Sequence, residues 1–107
     1  MPQNFDLVLL NEINKIIKNK YDDFQGTYFF GSRLKGDNTP DSDYDIMLIF
    51  DREIDYKFKR KVRDMIYDIM LRYDVVIDTK IFSSKEIISP RMPFTEEVRK
   101  NGYFHAV

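Results

Sequence analysis

Gly31-Ser32, then ten residues, then Asp43-Tyr44-Asp45 brings together residue types suited to phosphate and metal chemistry. Asp43 and Asp45 are two apart in a segment that reads as a strand. Alternate strand residues share a face, so both carboxylates project together, their Cα atoms about 6.5 to 7 Å apart. Two carboxylates that close repel and raise one another's pKa, and a cation between them removes that cost. Mg²⁺ suits the place, because it takes oxygen ligands and shares them between carboxylates and substrate phosphates. Asp78 interrupts another apolar strand, Val75 to Ile81, where a lone carboxylate is expensive unless paired or bound to metal. If the two strands are neighbours, the three acids converge. Gly31 lets backbone N–H groups approach a phosphate, and the Ser32 hydroxyl adds a donor. Arg33 and Lys35 are placed to add charge-assisted contacts.

Each piece alone has a plain structural reading. Gly-Ser after a strand is a common turn, Asp-Tyr-Asp at a strand start can be solvated, and Asp78 can pair with Lys80 or Arg33. Together they are more specific. Four residue types at set offsets match by chance at about one in fifty thousand per start position, on the order of one in several hundred over a chain this size.

The elements that must position these residues follow from periodicity. Phe5, Val8, Leu9, Ile13, Ile16 and Ile17 recur at helical spacing within residues 4–20. Thr27 to Phe30, between two glycines, reads as a strand. Residues 35–42 are turn formers and read as a loop. The apolar end of residues 43–50 predicts a strand buried on both faces. Residues 54–73 form a long amphipathic helix by spacing, with Lys57, Lys59, Arg60, Lys61, Arg63 and Arg72 on a solvated outer face. Residues 75–82 predict a third strand, Ser83 with Glu86 a capping box, and Thr95 onward a short helix stopped by Gly102. The class is α+β, an α/β sandwich with a small mixed sheet flanked by helices.

Composition bounds the rest. The 107 residues are 43% hydrophobic and 15% aromatic, the size and makeup of one folded domain spanning 1–107. A net charge of -1 leaves no basic excess for a broad nucleic-acid face. No cysteine is present, so disulfides and thiolate metal sites are excluded. No signal-peptide pattern and no apolar run of membrane-span length is seen, so a cytoplasmic protein is expected. His105 reads as a residue of a frayed tail, and the aromatics at 28–30, 50 and 58 as core. Phe94, Tyr103 and Phe104 are candidates for a partner-facing surface.

Gly31-Ser32-Arg33-Leu34-Lys35-Gly36 followed by Pro40-Asp41-Ser42-Asp43-Tyr44-Asp45-Ile46 resembles the polymerase-beta-like nucleotidyltransferase superfamily, and within it the minimal nucleotidyltransferases (MNT) of HEPN–MNT toxin–antitoxin pairs. Asp78 sits where that family places its third carboxylate, and Pro93-Phe94…Val98…Gly102 resembles its C-terminus. Lys35 departs from the arginine many MNT proteins carry. The resemblance implies ATP or another nucleoside triphosphate as substrate, held by Gly31, Ser32, Arg33 and Lys35. It further implies two Mg²⁺ ions on Asp43, Asp45 and Asp78, and transfer of a nucleoside monophosphate to a hydroxyl. Larger relatives add a helical acceptor domain. The acceptor is therefore expected to be bound by a partner or to be itself a protein, with a tyrosine of a cognate HEPN toxin as the family-level expectation. The competing expectations are a non-catalytic partner-binding module and a nucleotide sensor without turnover.

Overall fold

The run Tyr44–Phe50 is apolar at every position but Asp45, which demands cover on both faces of the sheet. A computed structural model describes residues 2–107 and supplies that cover. Its elements are α1 (Asn4–Lys20), β1 (Phe24–Phe30), α2 (Ser32–Lys35), β2 (Tyr44–Phe50), α3 (Tyr56–Tyr73), β3 (Ile77–Ser83), α4 (Ser84–Ile87), α5 (Pro93–Asn101) and β4 (Tyr103–Ala106). The sheet order is β3-β2-β1-β4. β1 is antiparallel to β2 and β4, whereas β2 and β3 are parallel. Parallel neighbours need a crossover, and the eighteen residues of α3 provide it. The sheet is small and mixed, as its sequence pattern implied.

One face is sealed by α1 and α3. Leu9, Leu10, Ile13 and Ile17 from α1, and Phe58, Val62, Ile66 and Ile69 from α3, join Tyr44, Ile46, Leu48 and Phe50 of β2. On the opposite face Met47 and Ile49 cluster with Ile87 and Val98 from the short helices α4 and α5. Asp45 alternates with the first set, so it looks out on the second, more thinly covered face.

Ser83 and Glu86 form the reciprocal capping box that the sequence suggested at α4, and Asp55, not singled out there, accepts the Phe58 amide at the start of α3. α3 ends on Asp74 in the left-handed region, φ 55° and ψ 49°. Glycine takes that conformation without a Cβ penalty, so Asp74→Gly is expected to stabilise the protein by about 0.5–1 kcal/mol in urea titration.

Two segments differ from their sequence reading. The end of the chain is a strand: β4 pairs with β1, placing His105 opposite Thr27. Asn14 of α1 donates to the His105 carbonyl at 2.9 Å and accepts the Thr27 hydroxyl at 2.7 Å, while His105 Nε2 meets Asn11 Oδ1 at 2.6 Å. His105 is thus fastened rather than frayed. β1 also begins three residues early, at Phe24. A register shift between Phe24 and Gly26 bulges the strand and turns Phe24 into the core. Among the described residues no helix is long and apolar enough to cross a membrane.

Candidate active site

β1 delivers Phe30 opposite Asp45 of β2, and Gly31 follows at once. Gly31 has φ 82°, a backbone region that side chains disfavour. A Cβ placed there would overlap the Asp45 carboxylate, with Asp45 Cγ only 2.9 Å away. Glycine is therefore required twice, by the turn and by the carboxylate lying against it. Ser32 then opens the single turn α2, which Gly36 closes with φ 84°.

β3 completes the arrangement. Its parallel register with β2 sets Asp78 directly beside Asp45, both on the face away from α1 and α3. Asp45 is half-buried, and its carboxyl lies above the ordinary aspartate range. Burial is the first cause and the Asp78 charge the second. Lys80 opposes the shift, while Asp43 and a hydrogen bond with Asp78 add to it. Asp43 precedes β2 and is exposed.

Asp78 corrects the sequence reading in one respect. It is not a buried acid: its side chain is 49% exposed, and Lys80 Nζ sits 3.2 Å from its Oδ2. The second face of β3 is covered toward its end, where Phe82 packs with Met47 and Ile49, but is open at Asp78, so a carboxylate there costs little.

The four proposed phosphate contacts divide. Gly31 lies against Asp45, and Ser32 follows it at the start of α2. Arg33 is engaged elsewhere: Nε donates to the Ser42 carbonyl at 3.0 Å, Nη2 to that of Pro40 at 3.1 Å, and the guanidinium lies 4.4 Å from the centre of the Tyr44 ring. It braces the loop that leads into Asp43. Lys35 is exposed on α2. Lys80 was absent from the sequence-based site set, although its place two residues after Asp78 on one strand puts both on one face.

The donor set is all oxygen, which suits a hard cation such as Mg²⁺. Among the described residues no three acidic or histidine side chains close into a ready-made cage. Neighbouring strands thus set Asp45 and Asp78 side by side, but the three acids do not close on one point as expected, because Asp43 stands ahead of β2 rather than in it.

The sequence matches the family "Polymerase beta, Nucleotidyltransferase" over residues 4–91. The fold resembles a crystal structure of a toxin-antitoxin with AMP-PNP, with a TM-score of 0.65, 20% identity, and coverage of 88% of this chain and 69% of that one. It also resembles a Sulfolobus solfataricus protein assigned as a nucleotidyltransferase, with a TM-score of 0.61, 21% identity, and coverage of 92% and 77%. No curated protein matches the sequence. At such identities the structural likeness speaks for the fold, and the family match speaks for the kind of chemistry. The chain belongs to the polymerase beta nucleotidyltransferase family and is a nucleotidyltransferase.

Proposed function

We propose that residues 1–107 act as one Mg²⁺-dependent nucleotidyltransferase domain that moves a nucleoside monophosphate, AMP from ATP, to a hydroxyl on a partner protein. The observation that carries this reading is the seat of Gly31 against the Asp45 carboxylate, with Asp78 alongside. A phosphate-approach turn and a pair of acids share one small face.

Asp43, Asp45 and Asp78 would hold the metal. When bound, Mg²⁺ neutralises the triphosphate and makes an acceptor hydroxyl more acidic. The turn at Gly31 frees backbone N–H groups for phosphate oxygens, and Ser32 Oγ adds one donor. Asp78, open to solvent, would ligate the metal or take the acceptor's proton. The acceptor oxygen forms a bond to the α-phosphorus, the α–β bridging bond breaks, and pyrophosphate leaves.

A protein acceptor is supported by the fold's likeness to the toxin-antitoxin structure, and a HEPN toxin by the resemblance of the motif. Phe94 and Phe104, each 41% exposed on the site's side of the sheet, supply apolar surface for such a partner. The same surface would serve a module that acts by contact alone, and the exposure of Asp78 means that keeping this acid costs such a module little.

Calorimetry of ATP binding, with and without Mg²⁺, tests the site on the wild type and on Asp43→Ala. Binding that needs Mg²⁺ and weakens at least tenfold in the variant is expected, about 1.4 kcal/mol. Equal binding by both proteins would overturn the metal-nucleotide reading. Full neutralisation of the partner by Asp43→Asn would favour the contact module.

A further inference from the structure

The site needs a cation for the triphosphate, and the arginine that follows Gly31-Ser32 is turned away. Arg33 is held by two loop carbonyls and the Tyr44 ring. Lys80 is differently placed. It shares the face of Asp45 and Asp78, its Nζ is 3.2 Å from Asp78 Oδ2, and it lies 5.5 Å from the centre of the Phe94 ring on α5. Phe94 in turn packs edge-on against Phe30, the residue before Gly31. The ammonium group is thus set between a carboxylate and an aromatic face, at the mouth of the turn.

We infer that Lys80 is the site's resident counter-cation: it balances Asp78 and Asp45 while the metal position is free, and moves onto the phosphates of the nucleoside triphosphate when substrate binds. The inference rests on the nucleotidyl-transfer reading above. Three features support it. The pair with Asp78 is a contact across two residues of one strand on a half-exposed surface, 38% and 49% exposed, so the bond is exchangeable rather than locked. A lysine on a flexible stem can swing between partners, and its point charge suits phosphate oxygens. Lys80 also stands on the face that carries Asp45 and Asp78, 5.5 Å from the centre of the Phe94 ring, where its charge bears on both acids.

The consequence is a pair of effects of opposite sign. A lysine that only braces the sheet would change both affinities in one direction. A lysine that competes with metal and then serves phosphate must change them in opposite directions. Calorimetry with Mn²⁺ alone, and then with ATP in saturating Mg²⁺, separates the cases on wild type, Lys80→Met and Lys80→Arg. Lys80→Met is expected to bind Mn²⁺ roughly threefold more tightly, because a like charge is gone. It should bind ATP about tenfold more weakly, because a charge-assisted contact is gone. Lys80→Arg should return most of the ATP affinity, and a melting curve should report an intact fold for each variant. Loss of both affinities, or no change in either, overturns the role of Lys80 while wild-type binding keeps the site itself. Wild type that binds neither Mn²⁺ nor ATP overturns the transfer reading, and the role of Lys80 falls with it.

Discussion

Asp45→Asn is expected to lose transfer by about 1,000-fold or more while the metal-free protein becomes harder to melt. Loss of a principal electrostatic group in a preorganised site has effects of that order. The gain in stability comes from the same carboxylate. Asp45 is half-buried beside Asp78 and near Asp43, and its carboxyl is held above its unfolded value of 3.8. The folded state therefore binds that proton more tightly than the unfolded state. The contribution of Asp45 to stability is fully present below pH 3.8 and is lost as pH rises through the raised value. At neutral pH the ionised group opposes folding, and asparagine, of nearly the same shape, relieves it. Thermal melts in chelator should thus place Asp45→Asn above wild type at pH 7, with the gap closing toward pH 3. Added Mg²⁺ should raise the wild type and leave the variant nearly unchanged. A variant less stable than wild type at every pH would mean that Asp45 earns its place by packing.

Gly31→Ala carries the second large effect. Alanine at φ 82° and ψ -163°, a region populated essentially by glycine alone, costs roughly 1–3 kcal/mol in backbone strain. The heavier consequence is local, since its Cβ would overlap the Asp45 carboxylate, which must swing aside. Misplacement of a reacting group by about 1 Å can cost 100-fold, so activity should fall by about that factor with a modest drop in melting temperature. Ser32→Ala is the control. It leaves the turn intact, removes one hydroxyl, and should cost about tenfold, near the worth of a single hydrogen bond to a charged group. Equal losses in the two variants would mean that the space at Gly31 is not what seats Asp45.

The bounds of helix α1 could be read from spacing alone, because its buried stripe runs from Leu9 to Ile17, although Phe5 and Val8 of the same pattern stay exposed. The capping box of Ser83 and Glu86 was equally legible, since both partners lie within one turn. β4 was not. Tyr103 to Ala106 is four residues long and has no periodic signal of its own; it is a strand because β1 offers an open edge and Asn14 grips two of its carbonyls. The motif that carries Gly31, Ser32, Asp43 and Asp45 was visible as spacing, and Asp78 as an acid within a strand. The destination of Arg33 was hidden, because it depends on how the loop at Pro40 to Ser42 folds back over Tyr44. The exposure of Asp78 was hidden too, since an apolar strand looks the same in sequence whether one face or two are covered.

Strand β3 has a hydrogen-bonded neighbour on one side only, whereas β1 and β2 have one on each. The site is therefore split between two kinds of backbone. Asp45 belongs to the interior of the sheet, with Gly31 lying against it just past the end of β1, and opening there must break two ladders. Asp78 and Lys80 ride on an edge that gives way by breaking one. Amide exchange follows such differences, so the half of the site that holds the lysine is the half that breathes. A ligand that touches both halves ties the edge to the interior, and the protection it confers will be concentrated in β3.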